Sequence, residues 1–328
     1  MCGIAGIVSL RQGEARDGKV DPGFFRESAR QIREKGFAFC RDQHLSFEEQ
    51  YLAGKEHLAQ LESAAKSLKG DSPFYTVFSD KDVQSALWDI SGQLSDFVEQ
   101  EARSLKDQMG LMAAEDVDIM AVRIEKLRDI AWCIRQELCE NVNKIRDLLY
   151  RIKVPSAVAV IFKRINTVLN SLDRLEVRGR DSAGISLLFV MDRPEYEALT
   201  DTLDKANFLE QFKERSTRDV LINMGISVRD SAAADGSPLT SIAFTYKVAA
   251  EIGKLGDNVA FLRSQIKKDP ILQALVNFSR GIAPFRPIPD GHPWARSAKP
   301  TAIRWTAECW CQQTPPARTA HFPRVSQR

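Results

Sequence analysis

Cys2, directly behind Met1, is the residue of this 328-residue chain whose type and place best suit chemistry. Once Met1 is removed, Cys2 carries a free α-amino group beside its own thiol. Such an amine has a pKa of about 7.7–8.0 and a thiol about 8.5, so both titrate close to neutral pH. One residue then supplies a sulfur nucleophile and an adjacent base, the arrangement of nucleophiles activated by an N-terminal amine. The alternative is structural: Ile4, Ile7 and Val8 form a buried strand, with Cys2 as filler. A second candidate is the stretch "EVRGRDSAGISLLFV", where Arg178, Gly179, Asp181 and Ser182 make a tight polar turn between a helix and a strand. Taken alone, that turn is only a turn.

These residues depend on three regions of the chain. Residues 2–10 alternate as a strand does, with Gly3 and Gly6 keeping the backbone accessible. The stretch from Phe47 to Ile152 is poor in Gly and Pro and rich in helix formers. Met120, Ile124, Leu127, Ala131, Ile134, Leu138, Ile145, Leu148 and Ile152 fall on one seam of heptad spacing, which skips Asn141. Val83, Leu87, Ile90, Leu94 and Phe97 follow the same spacing, as do Leu58, Leu61, Ala65 and Leu68. Such seams predict a helical insertion over residues 45–152, packed as a coiled-coil hairpin or small bundle. The plain reading of these seams is packed helices, and the alternative is an arm for self-association or partner docking. Cys133 and Cys139 lie six positions apart, do not share a helix face, and make no metal site. Val158, Ile161, Ile165, Val168, Leu169, Leu172 and Leu175 predict an amphipathic helix, and Ile185 to Val190 a buried strand.

Composition excludes several classes. A formal charge of +2 gives no global bias toward nucleic acid or acidic lipid. No uninterrupted apolar run is long enough to span a bilayer, and no secretory signal follows Met1. Six irregularly spaced cysteines do not resemble a disulfide framework. The expectation is a cytoplasmic protein with no cofactor.

Together, "MCGIAGIV" and "RLEVRGRDSAGISLL" resemble the class II glutamine amidotransferases, whose domain begins MCGI and continues after one helix to an RGYDSAG turn. The Ser-Ala-Gly version is most similar to the glutamine:fructose-6-phosphate amidotransferases. Arg178, Gly179, Asp181, Ser182, Ala183 and Gly184 match, and Arg180 replaces the usual Tyr. "FTYKVAAEIGKLGDNVAFLRSQI" resembles the family's next strand and helix. The resemblance covers residues 2–10, 156–192 and 240–276. It implies that Cys2 attacks the side-chain amide of glutamine, while Arg178 and Asp181 brace the turn beside it. It also implies an α/β/β/α sandwich of the N-terminal-nucleophile type, here incomplete and carrying the helical insertion. The corresponding domain boundaries are 2–20 for its start, 45–152 for the insertion and 156–279 for its continuation.

The HTRW and HNG segments that such enzymes use for glutamine binding and the oxyanion hole are absent from the chain. Residues 283–328 are instead rich in Pro, Arg and Trp, and read as a disordered tail translated out of frame. Regrouping the codons behind "PIPDGHPWARSAKPTAIRWT" from each third base permits HTRWASVGAVSETNCHPVDS. Two positions are forced by the single tryptophan codon: Trp294 into Ala295 must give Gly, and Trp305 into Thr306 must give Asp. The slip lies upstream of Ala283. A misread tail has no reason to build zinc ligands from Cys309, Cys311, His292 and His321, and the one-residue cysteine spacing is not a zinc knuckle. Its scattered charges do not make a nucleic-acid surface either.

The resemblance thus implies a glutaminase domain with glutamine as substrate, a sugar-phosphate acceptor reached only through a missing downstream domain, and an inactive chain as printed. Two alternatives remain at this stage. One is a class II amidotransferase of the asparagine synthetase or phosphoribosyl amidotransferase type. The other is a non-catalytic helical interaction protein on a degenerate scaffold.

Overall fold

A computed structural model describes residues 4–10, 19–151, 153–176, 182–218, 222–233, 236–248, 254–278 and 302–308. The chain divides into two units: a helical one of residues 11–166 and 269–300, and a sheet-containing one of residues 1–10, 167–268 and 301–328.

The helical unit begins with α1 (Pro22–Glu34), where Asp21 caps the first turn by accepting from Gly23 N–H at 2.8 Å and Pro22 supplies a preset φ. Phe25, Ala29 and Ile32 are its buried stripe. Short helices α2 (Phe37–Asp42) and α3 (Phe47–Gln50) follow, then α4 (Lys55–Ser67) and α5 (Asp71–Ser79). The long α6 (Lys81–Gln108) is capped by Asp80 and buries Leu87, Ile90, Leu94 and Phe97, with Val83 half-buried. Opposite it run α7 (Ala114–Trp132), a π-helical stretch (Cys133–Glu140) and α8 (Asn141–Asp147). Gln84 meets Cys139 and Asn143 while Trp88 meets Arg135, so rising numbers on α6 meet falling ones opposite. The pair is an antiparallel hairpin.

Every seam residue from Met120 to Leu148 is buried, and Ile152 lies outside the described residues. The structure departs from a simple seam in one respect. The π stretch adds a residue to the turn, so Cys133, Cys139 and Val142 are buried as well and the stripe widens. Gln84 satisfies part of the disturbed backbone by donating to the Cys139 carbonyl at 3.1 Å.

Two further polar anchors fix this unit. Buried Arg123 donates to the carbonyls of Phe47 (3.0 Å), Tyr51 (2.5 Å) and Glu48, holding a turn in which Leu52 and Ala53 have φ of 51° and 64°. Glu101 accepts from Phe37 N–H at 2.8 Å and faces the fully buried Tyr51. Helix α9 (Ser156–Glu176) starts in this unit, and α13 (Pro270–Phe278), capped by fully buried Asp269, joins it from far down the chain. The helical body is therefore wider than 45–152: α1, α2, the start of α9 and α13 all belong to it.

In the other unit, β1 (Ile4–Leu10), β2 (Ala183–Asp192), β3 (Gly225–Ala232), β4 (Pro238–Val248) and β5 (Ala302–Glu308) form one antiparallel sheet of order β1-β5-β2-β4-β3. Ile185, Leu187, Phe189 and Met191 of β2 and Ile242, Phe244 and Tyr246 of β4 are buried with strict alternation. Helices α10 (Arg193–Lys205), entered through an Asp192–Glu195 capping box, α11 (Leu209–Thr217) and α12 (Asp257–Lys268) complete the unit. The α/β character expected from sequence is present, with one sheet among the described residues.

Within the stretch 283–328, Ile303, Trp305 and Ala307 alternate with Arg304, Thr306 and Glu308. That is a strand pattern, and the structure pairs this segment with β1 and β2.

Candidate active site

Ser182 is the one predicted site residue within the described part of the chain; Cys2, Arg178, Gly179 and Asp181 lie outside it. Ser182 is half-buried and immediately precedes β2. The structure places the strands that flank the others. Both β1 and β2 pair antiparallel to β5, so they run parallel to each other. Ile4 and Gly184 stand opposite the same residue, Glu308. The two strands therefore begin at one end of the sheet, two inter-strand spacings or about 10 Å apart. Across β2, Ala183 pairs with Val248, the last residue of β4. Three points of the chain thus meet at one sheet end: two residues past Cys2, one residue past Ser182, and the strand end that leads to Lys254.

Glu176, the last residue of α9, is the site feature that sequence reasoning missed. It is 3% exposed and accepts from the backbone N–H groups of Gly256 (2.6 Å) and Asn258 (3.2 Å). A carboxylate at a helix C-terminus opposes the macrodipole of its own helix, and here the N-terminal amides of α12 offset that. Gly256 adopts φ +93°, which favours glycine. A second tie lies two turns earlier, where Arg263 donates to the Asn170 side chain at 3.0 Å. Glu176 thus fixes the chain immediately before residues 177–181 to the start of α12. Its signal in the sequence was an acidic residue abutting the polar turn, which by itself reads as solvated. Lys254 is exposed, and its N–H donates to Asp257 at 2.8 Å.

The far side of the sheet is held by polar contacts of its own. Arg215, 4% exposed, donates through Nε to the Met224 carbonyl at 2.7 Å and stacks over Phe244. Asn223 accepts from Lys247 N–H at 2.8 Å, setting the lead into β3 against β4.

Among the described residues no group of three or more His, Cys, Asp or Glu side chains is placed to hold a metal ion, and the tail cysteines and histidines fall outside them. No helix among the described residues is long and apolar enough to cross a membrane. The chain matches no family model, no curated protein and no solved structure.

Proposed function

We propose that the chain is the glutaminase part of a class II glutamine amidotransferase, of the kind that aminates a sugar phosphate. The reading rests on the two motifs around Cys2 and Ser182, and on the finding that β1 and β2 begin opposite the same residue, Glu308. In this proposal the Cys2 thiolate attacks the glutamine side-chain amide, and the α-amino group takes the thiol proton and passes it to departing ammonia. Water then cleaves the thioester to glutamate. Arg178, Gly179 and Asp181 shape the turn beside Cys2, and Glu176 holds that turn in place. The two-sheet sandwich belongs to this proposal, as does the acceptor domain that would use the ammonia.

The absent HTRW and HNG segments belong to another reading frame of the same gene. β5 is compatible with this, because strand pairing uses the backbone and needs only a tolerant side-chain pattern. Loss of even one oxyanion-hole donor costs about 10²–10³ in rate, so the chain in its present frame releases negligible ammonia from glutamine.

The test has two arms. Chain lacking Met1 is treated with a glutamine-like electrophile, beside chain carrying one added residue before Cys2. Labelling of Cys2 in the first and not the second is expected; equal labelling of both overturns the N-terminal mechanism. Sequencing the gene and assaying ammonia release in both frames tests the second part, which fails if the present frame is confirmed and active.

A further inference from the structure

The helical unit carries a groove of about 270 Å³ lined by Lys81, Gln84, Ser85, Trp88, Asn143 and Arg146. The first four recur along one face of α6, and the last two follow the π stretch on α8. No carboxylate is among the lining residues. Asp80, next to Lys81, is committed to capping α6 through Asp82 and Val83 N–H.

Arg146 is the informative member. Its guanidinium is half-buried and is held by neutral acceptors only: the Gln84 side-chain oxygen, the Phe78 carbonyl at 2.6 Å and the Val77 carbonyl at 3.5 Å. Burial pulls its pKa down, and among the described residues no carboxylate forms an ion pair with it. A partly desolvated cation with no counter-charge is costly. Lys81 adds a second positive charge at the mouth, and a third, Arg135, lies over the Trp88 ring at 4.4 Å. Asn143 gives its side-chain oxygen to Gln84, which leaves its amide N–H groups for the groove.

We infer that this groove binds a small oxyanion of the phosphate class, free or as a monoester. Arg146 and Lys81 neutralise the charge, Asn143 and Ser85 supply neutral donors, and the Trp88 face meets whatever group the phosphate carries. Guanidinium and ammonium groups suit phosphate oxygens, and the volume admits a phosphate with a small organic group rather than a drug-sized ligand. The inference is independent of the glutaminase proposal.

The experiment titrates the full chain with inorganic phosphate and with phenyl phosphate at fixed ionic strength. It follows the Trp88 indole N–H resonance, assigned through Trp88→Phe. A saturable shift with a dissociation constant of about 1 mM is expected, weakened about tenfold in Lys81→Met and further in Ser85→Ala/Lys81→Met, both at exposed positions. Arg146→Gln abolishes binding if it folds; the two surface variants decide the matter if it does not. Tighter binding of phenyl phosphate identifies a monoester ligand, and equal binding identifies free phosphate. The inference is overturned if neither compound shifts the resonance saturably below about 20 mM, if chloride has the same effect, or if Lys81→Met binds as the unaltered chain does.

Discussion

Asn166 donates through Nδ2 to Asn141 Oδ1 at 2.9 Å, and this pair occupies the one place where the heptad seam lacks an apolar residue. Asn166 is 2% exposed, and Asn141 also donates to the Glu137 carbonyl of the π stretch at 2.8 Å. A single polar pair in an apolar seam specifies register at a cost in stability. Asn166→Leu alone is expected to destabilise by about 1–3 kcal/mol, because it removes the donor that Asn141 Oδ1 accepts from at 2.9 Å. The Asn141→Leu/Asn166→Leu double variant should recover most of that loss. A double-mutant cycle by urea denaturation reads the coupling directly; additive losses would mean the two amides act independently.

Glu176→Ala leaves two amides at the start of α12 without their acceptor. The expected cost is about 1–3 kcal/mol, with a smaller loss in Glu176→Gln, which keeps one acceptor oxygen. Hydrogen exchange at Gly256 and Asn258 should accelerate in the Ala variant, while exchange in α4 and α7 stays unchanged. If the proposed glutaminase reading holds, Cys2 labelling slows in parallel.

The buried Glu101 makes stability depend on pH. Burial pushes its carboxyl above the ordinary 4.5, against the opposing hydrogen bond of Phe37 N–H and the nearby Tyr51 hydroxyl. On raising pH, the unfolded chain releases this proton first, and the folded chain still holds it. Stability is therefore fully present below 4.5 and declines as pH rises toward the folded-state value, by at most about 1.4 kcal/mol per pH unit. Glu101→Gln keeps an acceptor for Phe37 and removes the charge, so melting temperature should fall less with pH and be higher than in the unaltered chain at pH 7. A parallel pair of curves would show that Glu101 titrates normally.

Truncation after Pro300 removes β5, the strand that pairs with β1 among the described residues. Amides of residues 5–9 should lose protection from exchange, while those of α6 and α7 keep it. Unchanged protection at 5–9 would place β1 against some other partner.

Much of the architecture was legible because burial imposes a period. The α9 stripe from Val158 to Leu172 and the β2 residues Ile185, Leu187 and Phe189 are buried where their spacing put them. The π stretch was not legible, since its extra residue leaves the seam intact and adds Cys133, Cys139 and Val142 beside it. The membership of α13 was hidden for another reason: its apolar residues say that it is buried but not against what. Glu176 was hidden because a carboxylate beside a turn looks solvated until the amides of Gly256 and Asn258 are seen to face it. The candidate site itself was read from motifs, and the structure adds the sheet end at which their strands begin.

The pairing of β1 with β5 has a consequence for biosynthesis. Ile4 faces Glu308, so β1 waits for a strand made about 300 residues later. At ordinary elongation rates that is about 15–60 s. The α6–α8 hairpin faces no such delay, because its helices follow one another in the chain and close locally, although α5 and α8 still await Lys163, Arg164 and Asn166 of α9 and the unit awaits α13. The nascent chain therefore carries a formed α6–α8 hairpin while β1 still lacks its partner. Exposure of β1 to aggregation is concentrated in that interval, and a chaperone or a slow codon would have its largest effect on yield there.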